Sequence, residues 1–329
     1  MTLPRRFIAY GAYNLANDRN LGAVGGGDTR NYFQYIADGG WPINLVRVWV
    51  FRRSTADTLP PDRAIHLYQP DHTINPTYLD NLELLVKLAA AKGFWVQVCL
   101  FNYHVCKFPE EVPEDCPPEL LPAYGTGTTL CGRLQTFFQP SQNATTHKQK
   151  ELIAAVGNRL KTKTNVLWEI GNELRMDGGG CGDVDNQNLV AWIQIMKDAL
   201  VNVVGASPLI TTSTGVTNES MTLRNIPFSF FDFHAGQWGI DSSPQSRDLQ
   251  ENILDAKRRA ATYNPNAFLI INDDGVGDAD RTPGAVGAWA SKAFSLGLHY
   301  STKSTYPPQP WSTHTLDQLR IANQNFPPP

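Results

Sequence analysis

Eight short apolar runs separated by stretches of helical period constrain this chain more than any other feature. The runs are Phe7–Ala12, Leu45–Phe51, Phe94–Phe101, Val166–Ile170, Leu209–Ser213, Phe228–Phe233, Phe268–Ile271 and Ala293–Tyr300, the last expected to be partly helix. Between them, Leu82, Leu85, Val86 and Ala89 keep one helical face, and Leu189, Trp192, Ile193, Met196, Leu200 and Val203 keep another. Near-continuous apolar strands are buried on both sides, the mark of a parallel sheet covered by helices. Eight such units in 329 residues predict a closed (β/α)8 TIM barrel, read as a single domain over residues 1–329. No G-x-G-x-x-G follows the first run and no solenoid period recurs, which argues against a dinucleotide fold and a repeat array.

The bulk chemistry narrows the function classes. Hydrophobic residues make up 42% and charged residues 18%, enough for a sizeable core. A net charge of −3 without a basic block gives no footprint for nucleic acid. No run of about 18 apolar residues offers a membrane span. Residues Met1 to Tyr10 include Arg5 and Arg6 but no apolar leader core, so a secretory leader is not expected within them. The expected state is a monomer.

Of five cysteines, Cys99 falls in an apolar strand, while Cys106, Cys116, Cys131 and Cys181 fall in loops. Four loop cysteines suit two disulfides of open connectivity and favour an extracytoplasmic setting. A zinc site finds no C-x-x-C or paired-His spacing, and neither metal nor cofactor is expected.

Barrel enzymes carry their chemistry at the carboxyl ends of the strands. The fourth run continues V-L-W-E-I-G-N-E-L and so delivers Asn172 and Glu173 to the point where regular structure stops. A desolvated carboxyl costs several kcal/mol unless it is paired, hydrogen-bonded or protonated, and a raised pKa is what an acid catalyst needs near neutrality. The plainer alternative makes Glu173 a solvated residue capping the loop from Met176 to Asp183. The seventh run ends Asn272-Asp273-Asp274-Gly275, again in acid, and strands four and seven face each other across a barrel mouth. Two facing carboxyls are the apparatus of glycoside hydrolysis, one protonating the leaving oxygen and the other attacking or steadying the oxocarbenium-like centre.

On these residues the chain resembles glycoside hydrolase clan A, the (β/α)8 retaining glycosidases of cellulase and mannanase type. The sharp part of the match is W-E-I-G-N-E at Trp168 to Glu173, which implies Glu173 as acid/base beside Asn172. Arg47 in N-L-V-R-V-W-V falls where the clan has an arginine that orients the nucleophile. Asn102 and Tyr103 resemble its His-Asn-Tyr region, and His234 in F-F-D-F-H-A-G falls at a substrate-contacting histidine. The resemblance implies a glycosidase acting on β-linked glycosides or polysaccharides with no cofactor. Asp273 takes the part of nucleophile or of base for a water, with Asp274 as its rival for the second carboxylate.

Three departures surround that site. Asp273 stands where the clan has a glutamate, Phe101 where it has a histidine, and Gly236 where it often has a tyrosine. Retaining enzymes hold their carboxyls about 5–5.5 Å apart and inverting ones about 6.5–9.5 Å. Shortening Glu to Asp withdraws a carboxylate by roughly one carbon–carbon bond, about 1.5 Å, so either stereochemistry is open. A catalytically degenerate barrel that binds carbohydrate or a protein partner is the alternative. The remaining site candidates are His104, Trp238 and Tyr300, expected to contact or stack on substrate. Arg47 needs a carboxylate, for which Asp273 or Glu173 would serve. The polar segment Asn14–Gly27 and the proline-rich segment Asn102–Thr146 are expected to wall the cleft as long loops after strands one and three.

Overall fold

Strands β1 (Ile8–Gly11), β2 (Leu45–Trp49), β3 (Trp95–Asn102), β4 (Val166–Asn172), β5 (Leu209–Thr211), β6 (Phe230–His234), β7 (Phe268–Asn272) and β8 (His299–Lys303) form one parallel sheet. Its order runs β5-β4-β3-β2-β1-β8-β7-β6, with β1 pairing both β2 and β8. The Ser229 amide donates to the Ile210 carbonyl at 2.9 Å, drawing β6 towards β5 and bringing the sheet round to a nearly closed barrel. This computed structural model describes residues 3–12, 14–22, 30–53, 59, 62–122, 124, 127–141, 143–175, 181–205, 208–213, 224–234, 249–272, 285–303 and 313–328.

The helices of the outer layer are α1 (Tyr32–Asp38), α2 (Pro76–Ala91), α3 (His104–Lys107), α4 (Leu130–Phe137), α5 (Ala144–Leu160), α6 (Asp183–Val204), α7 (Leu249–Tyr263), α8 (Ala285–Ser295) and α9 (Thr313–Asn325). Local sequence explains where several begin. Asn75 accepts the Thr77 amide at 3.0 Å and Pro76 opens α2, while Asn143 accepts the Thr146 amide at 2.9 Å to cap α5. The expected apolar faces of α2 and α6 are buried, save the half-buried Val203, and Trp192 of α6 packs on Phe101 of β3 at 5.4 Å and Phe138 at 4.8 Å. Its indole N–H donates to Gln149 of α5 at 2.8 Å, which satisfies the one polar atom this wedge buries.

The barrel interior changes character with height. Phe7, Ala9, Leu45, Trp95, Leu167, Phe230 and Ile270 make a dry floor, in which Phe230 and Phe268 stack at 4.9 Å. Period-two alternation then turns Arg47, Gln97, Glu169, Asp232 and Asn272 inward one layer higher, all of them buried. A charged layer thus separates the floor from the mouth.

The fold expectation holds, the eighth run being partly helix as expected, with two corrections to other readings. The eighth run divides: Ala293–Ser295 ends α8, and the strand begins only at His299, because Gly297 at φ +71° turns the chain between them. The segment after β3 is not irregular throughout; it folds into α3, α4 and 3-10 turns at Pro109–Glu111 and Pro118–Leu120. One disulfide joins Cys131 to Cys181 with Cα atoms 5.3 Å apart, whereas Cys106 and Cys116 are free, buried thiols packed in the main apolar cluster. They act there as small hydrophobes, a use that loop position alone did not disclose. Among the described residues no helix is long and apolar enough to cross a membrane.

Candidate active site

Four inward steps of the fourth strand build the site. Leu167 belongs to the floor, Glu169 to the charged layer, Gly171 leaves space, and Glu173 emerges at the mouth just past the last strand residue. Glu169 is fully buried and held by the Arg47 guanidinium, with Nε to Oε2 at 2.8 Å and Nη2 to Oε1 at 2.7 Å. Arg47 Nη2 also donates to Asn172 Oδ1 at 2.7 Å, and its Nε lies 3.7 Å from Asp232 Oδ2. Gln97 bridges the two acids, donating to Glu169 at 2.9 Å and Asp232 at 2.7 Å. Burial alone would raise the Asp232 carboxyl, but Arg47, His234 and the Gln97 hydrogen bond outweigh it and hold that carboxyl well below its usual range.

The turn that lifts Glu173 is clamped from Ser213, two residues past the end of β5. Ser213 gives its amide to the Gly171 carbonyl at 3.1 Å, and its carbonyl accepts the Leu174 amide at 2.9 Å. Its hydroxyl accepts the Glu173 amide at 2.7 Å and donates to Glu169 Oε1 at 3.2 Å. Gly171 permits the fold-back, since a Cβ there would meet the Leu174 side chain at 2.8 Å. Glu173 itself adopts φ +56°, a left-handed conformation that costs a non-glycine residue about 1–2 kcal/mol. The clamp absorbs that strain.

At the mouth, Glu173 Oε2 lies 3.1 Å from His104 Nε2 and Oε1 lies 3.6 Å from His234 Nδ1. The Glu173 side chain is 18% exposed and that of His104 30%, against 3% for His234. Burial pushes the Glu173 carboxyl up, but the two imidazoles outweigh it and hold it well below the usual carboxylate range. His234 is anchored from below by Asn272 of β7, whose amide nitrogen lies 3.2 Å from His234 Nε2 and 3.3 Å from Asp232 Oδ1. Asn172 donates to Asn102 Oδ1 at 3.1 Å, and the same oxygen accepts the His104 amide at 3.1 Å. The residues singled out as Arg47, Asn102, His104, Asn172, Glu173 and His234 therefore meet in one connected cluster.

Other expectations change. Arg47 pairs with Glu169 and Asp232, not with Glu173, because Glu173 lies two inward steps above Glu169, just past the end of β4. Tyr300 is fully buried beside Phe294 of α8 at 6.1 Å, near the start of β8, so it is no sugar platform. Tyr103 is buried beneath Arg175, whose guanidinium lies 4.6 Å from its ring. Phe101 faces the helix layer and cannot stand in for a mouth histidine. Asp273, Asp274 and Trp238, like Gly236, lie outside the described residues. Glu169, Asp232, Gln97 and Ser213 were missed, although a charge inside an apolar run at even spacing from Glu173 was a visible signal for Glu169. Glu169, Asp232 and His234 also bring three donor atoms together, yet the cation among them is already Arg47.

No family model and no curated protein matches the chain. Solved structures do. An endo-beta-1,4-mannanase from Thermotoga petrophila aligns with a TM-score of 0.65 at 14% identity, over 98% of this chain and 77% of that one. An endo-1,4-beta-mannanase from Rhizomucor miehei gives 0.64 at 15%, over 97% and 96%. A glycoside hydrolase family 5 enzyme from Prevotella bryantii B14 gives 0.62 at 12%, over 97% and 96%. The fold is that of these glycoside hydrolases. At such identities the likeness speaks for the barrel and its strand order, and the chemistry must be argued from this chain's own residues.

Proposed function

We propose that this chain is a glycoside hydrolase acting on β-linked glycosides or polysaccharides, with Glu173 as general acid/base. The observation that carries this reading is the contrast along β4: Glu169 is sealed in an ion-pair network, while Glu173 is raised by a strained, clamped turn to the mouth. Strain of this kind persists where the surroundings enforce it, and it concentrates at functional sites. Glu173 donates a proton to the departing glycosidic oxygen and, on the retaining route, then takes one from water as carboxylate. The second carboxylate is Asp273, as nucleophile or as base for the water, with Asp274 its rival; both follow directly on Asn272, whose side chain faces the buried layer. Arg47 acts indirectly, fixing Asn172 and Glu169 beneath the acid. The names of two of the similar structures favour mannan-type polymers as the substrate class.

A panel of aryl β-glycosides and β-linked oligosaccharides tests the reading, run on wild type, Glu173→Gln, Asp273→Asn and Asp274→Asn. Turnover by wild type is expected, lost on the oligosaccharides in Glu173→Gln and on all substrates in one of the aspartate variants. NMR of the first-formed anomer then separates nucleophile from base, retention marking the former. Full activity of Glu173→Gln would end the proposal. The second reading, a barrel that binds carbohydrate without turnover, draws on the shortened strand-seven acid and would show as saturable oligosaccharide binding with no hydrolysis.

A further inference from the structure

His104 comes three residues after Phe101, the side chain that faces the helices where a mouth histidine was expected. Its placement is built in several ways. The one-turn helix α3 starts at His104, whose amide is fixed by Asn102 Oδ1 at 3.1 Å. Its ring is bracketed by Trp49 at 6.3 Å, Tyr103 at 6.0 Å and Phe108 at 5.8 Å, all edge to face. That bracket sets the ring orientation and presents Nε2 to Glu173 Oε2 at 3.1 Å, while the side chain keeps 30% of its surface in solvent. The other charged and titratable groups described around Glu173 are more distant. His234 on β6 approaches the other carboxylate oxygen at 3.6 Å and leans on Asp232, Arg47 on β2 is engaged with Glu169, and Arg175 lies on Tyr103.

We propose that His104 is a positioning residue that holds the catalytic proton for Glu173 between turnovers, so that the acid is the His104–Glu173 pair. This rests on the reading of Glu173 as general acid/base. The pair carries one proton beyond neutral imidazole and carboxylate. In the resting site that proton sits on Nε2, facing Oε2. Nε2 passes that proton to Oε2, and as the glycosidic carbon–oxygen bond breaks and its electron pair leaves with the departing oxygen, Oε2 delivers the same proton to that oxygen. Neutral imidazole and carboxylate remain. In the second half, on the retaining route, water displaces the second carboxylate from the anomeric carbon; as the new carbon–oxygen bond forms and the glycosyl–carboxylate bond breaks, Glu173 takes a proton from that water and passes it to Nε2, which restores the starting state. The depressed carboxyl of Glu173 fits this division of labour, since the carboxylate alone would not keep a proton at neutral pH.

The experiment compares wild type with His104→Leu and His104→Gln by two readouts. Carboxyl carbon NMR of labelled glutamate, assigned with Glu173→Gln, follows Glu173 through an acid titration. The midpoint is expected to rise by about one pH unit or more in His104→Leu, as the loss of a hydrogen-bonded partner requires, and by less in His104→Gln, whose amide still donates. Hydrolysis is then measured on one glycoside with a dinitrophenyl leaving group and one with an unactivated alcohol. The variants should lose roughly 10-fold or more on the unactivated substrate, within the range of general acid catalysis, and little on the activated one. An unmoved Glu173 midpoint, or equal losses on both substrates, overturns the role of His104. Failure of the underlying reading looks different: Glu173→Gln then keeps its activity, or loses it equally on both substrates, whatever His104 does.

Discussion

Arg47 of β2 and Glu169 of β4 meet through two parallel hydrogen bonds, 2.8 and 2.7 Å long, inside a barrel layer with almost no access to solvent. Asp232 stands 3.7 Å from the same guanidinium, so one arginine answers two buried acids. Arg47→Met would leave both carboxylates without their cation. Breaking a buried pair from one side costs about 3–5 kcal/mol, so urea unfolding should show a loss of that order. A loss below about 1 kcal/mol would mean that the acids are protonated or otherwise satisfied.

Glu173 is held at φ +56°, a conformation glycine adopts without penalty. Glu173→Gly should therefore stabilise the fold or leave it unchanged, within about 1 kcal/mol after the added freedom of the unfolded chain is counted, while removing activity. Thermal unfolding beside an activity assay checks both halves. A clear destabilisation would show that the carboxylate's contacts with His104 and His234 contribute more to folding than the strain costs.

His299 lies at the opposite end of the barrel from the mouth. Its Nδ1 accepts the Phe7 amide at 2.7 Å, and the ring sits 5.0 Å from Phe268, so the neutral form is favoured. Burial, with help from Arg6, lowers its pKa from 6.5 to about 4. An unfolded chain binds the proton first as pH falls. Stability from this group is therefore complete above pH 6.5 and lost progressively down to about pH 4, by about 3 kcal/mol at about 1.4 kcal/mol per pH unit. His299→Phe should flatten the curve of unfolding free energy between those values. An unchanged slope would contradict the assignment.

The barrel was legible because its strands are nearly continuous apolar runs and its helices keep their faces, so period alone separated them. Glu173 and Asn172 stood out because polar residues at a strand end need a reason. Within the strands, the same logic applied to Arg47 asked for a carboxylate but looked for it at the mouth; alternation along β4 places Glu169 at the right depth. Ser213 was hidden because its part is played by backbone groups as much as by its hydroxyl. His104 was named only as a contact, since nothing in F-N-Y-H says that a single helical turn will swing its ring back over β4. Tyr300 misled because a run that divides into helix and strand conceals which end of the strand its aromatic residue occupies.

The acid role of Glu173 is tested most directly by the ratio of kcat/KM between Glu173→Gln and wild type, measured on an unactivated β-glycoside and on its dinitrophenyl counterpart. Loss of roughly 100- to 10,000-fold on the first is expected, the usual worth of a general acid, with loss of less than about 10-fold on the second, where the leaving group needs no proton. Equal losses on the two substrates, or none on either, would contradict the account.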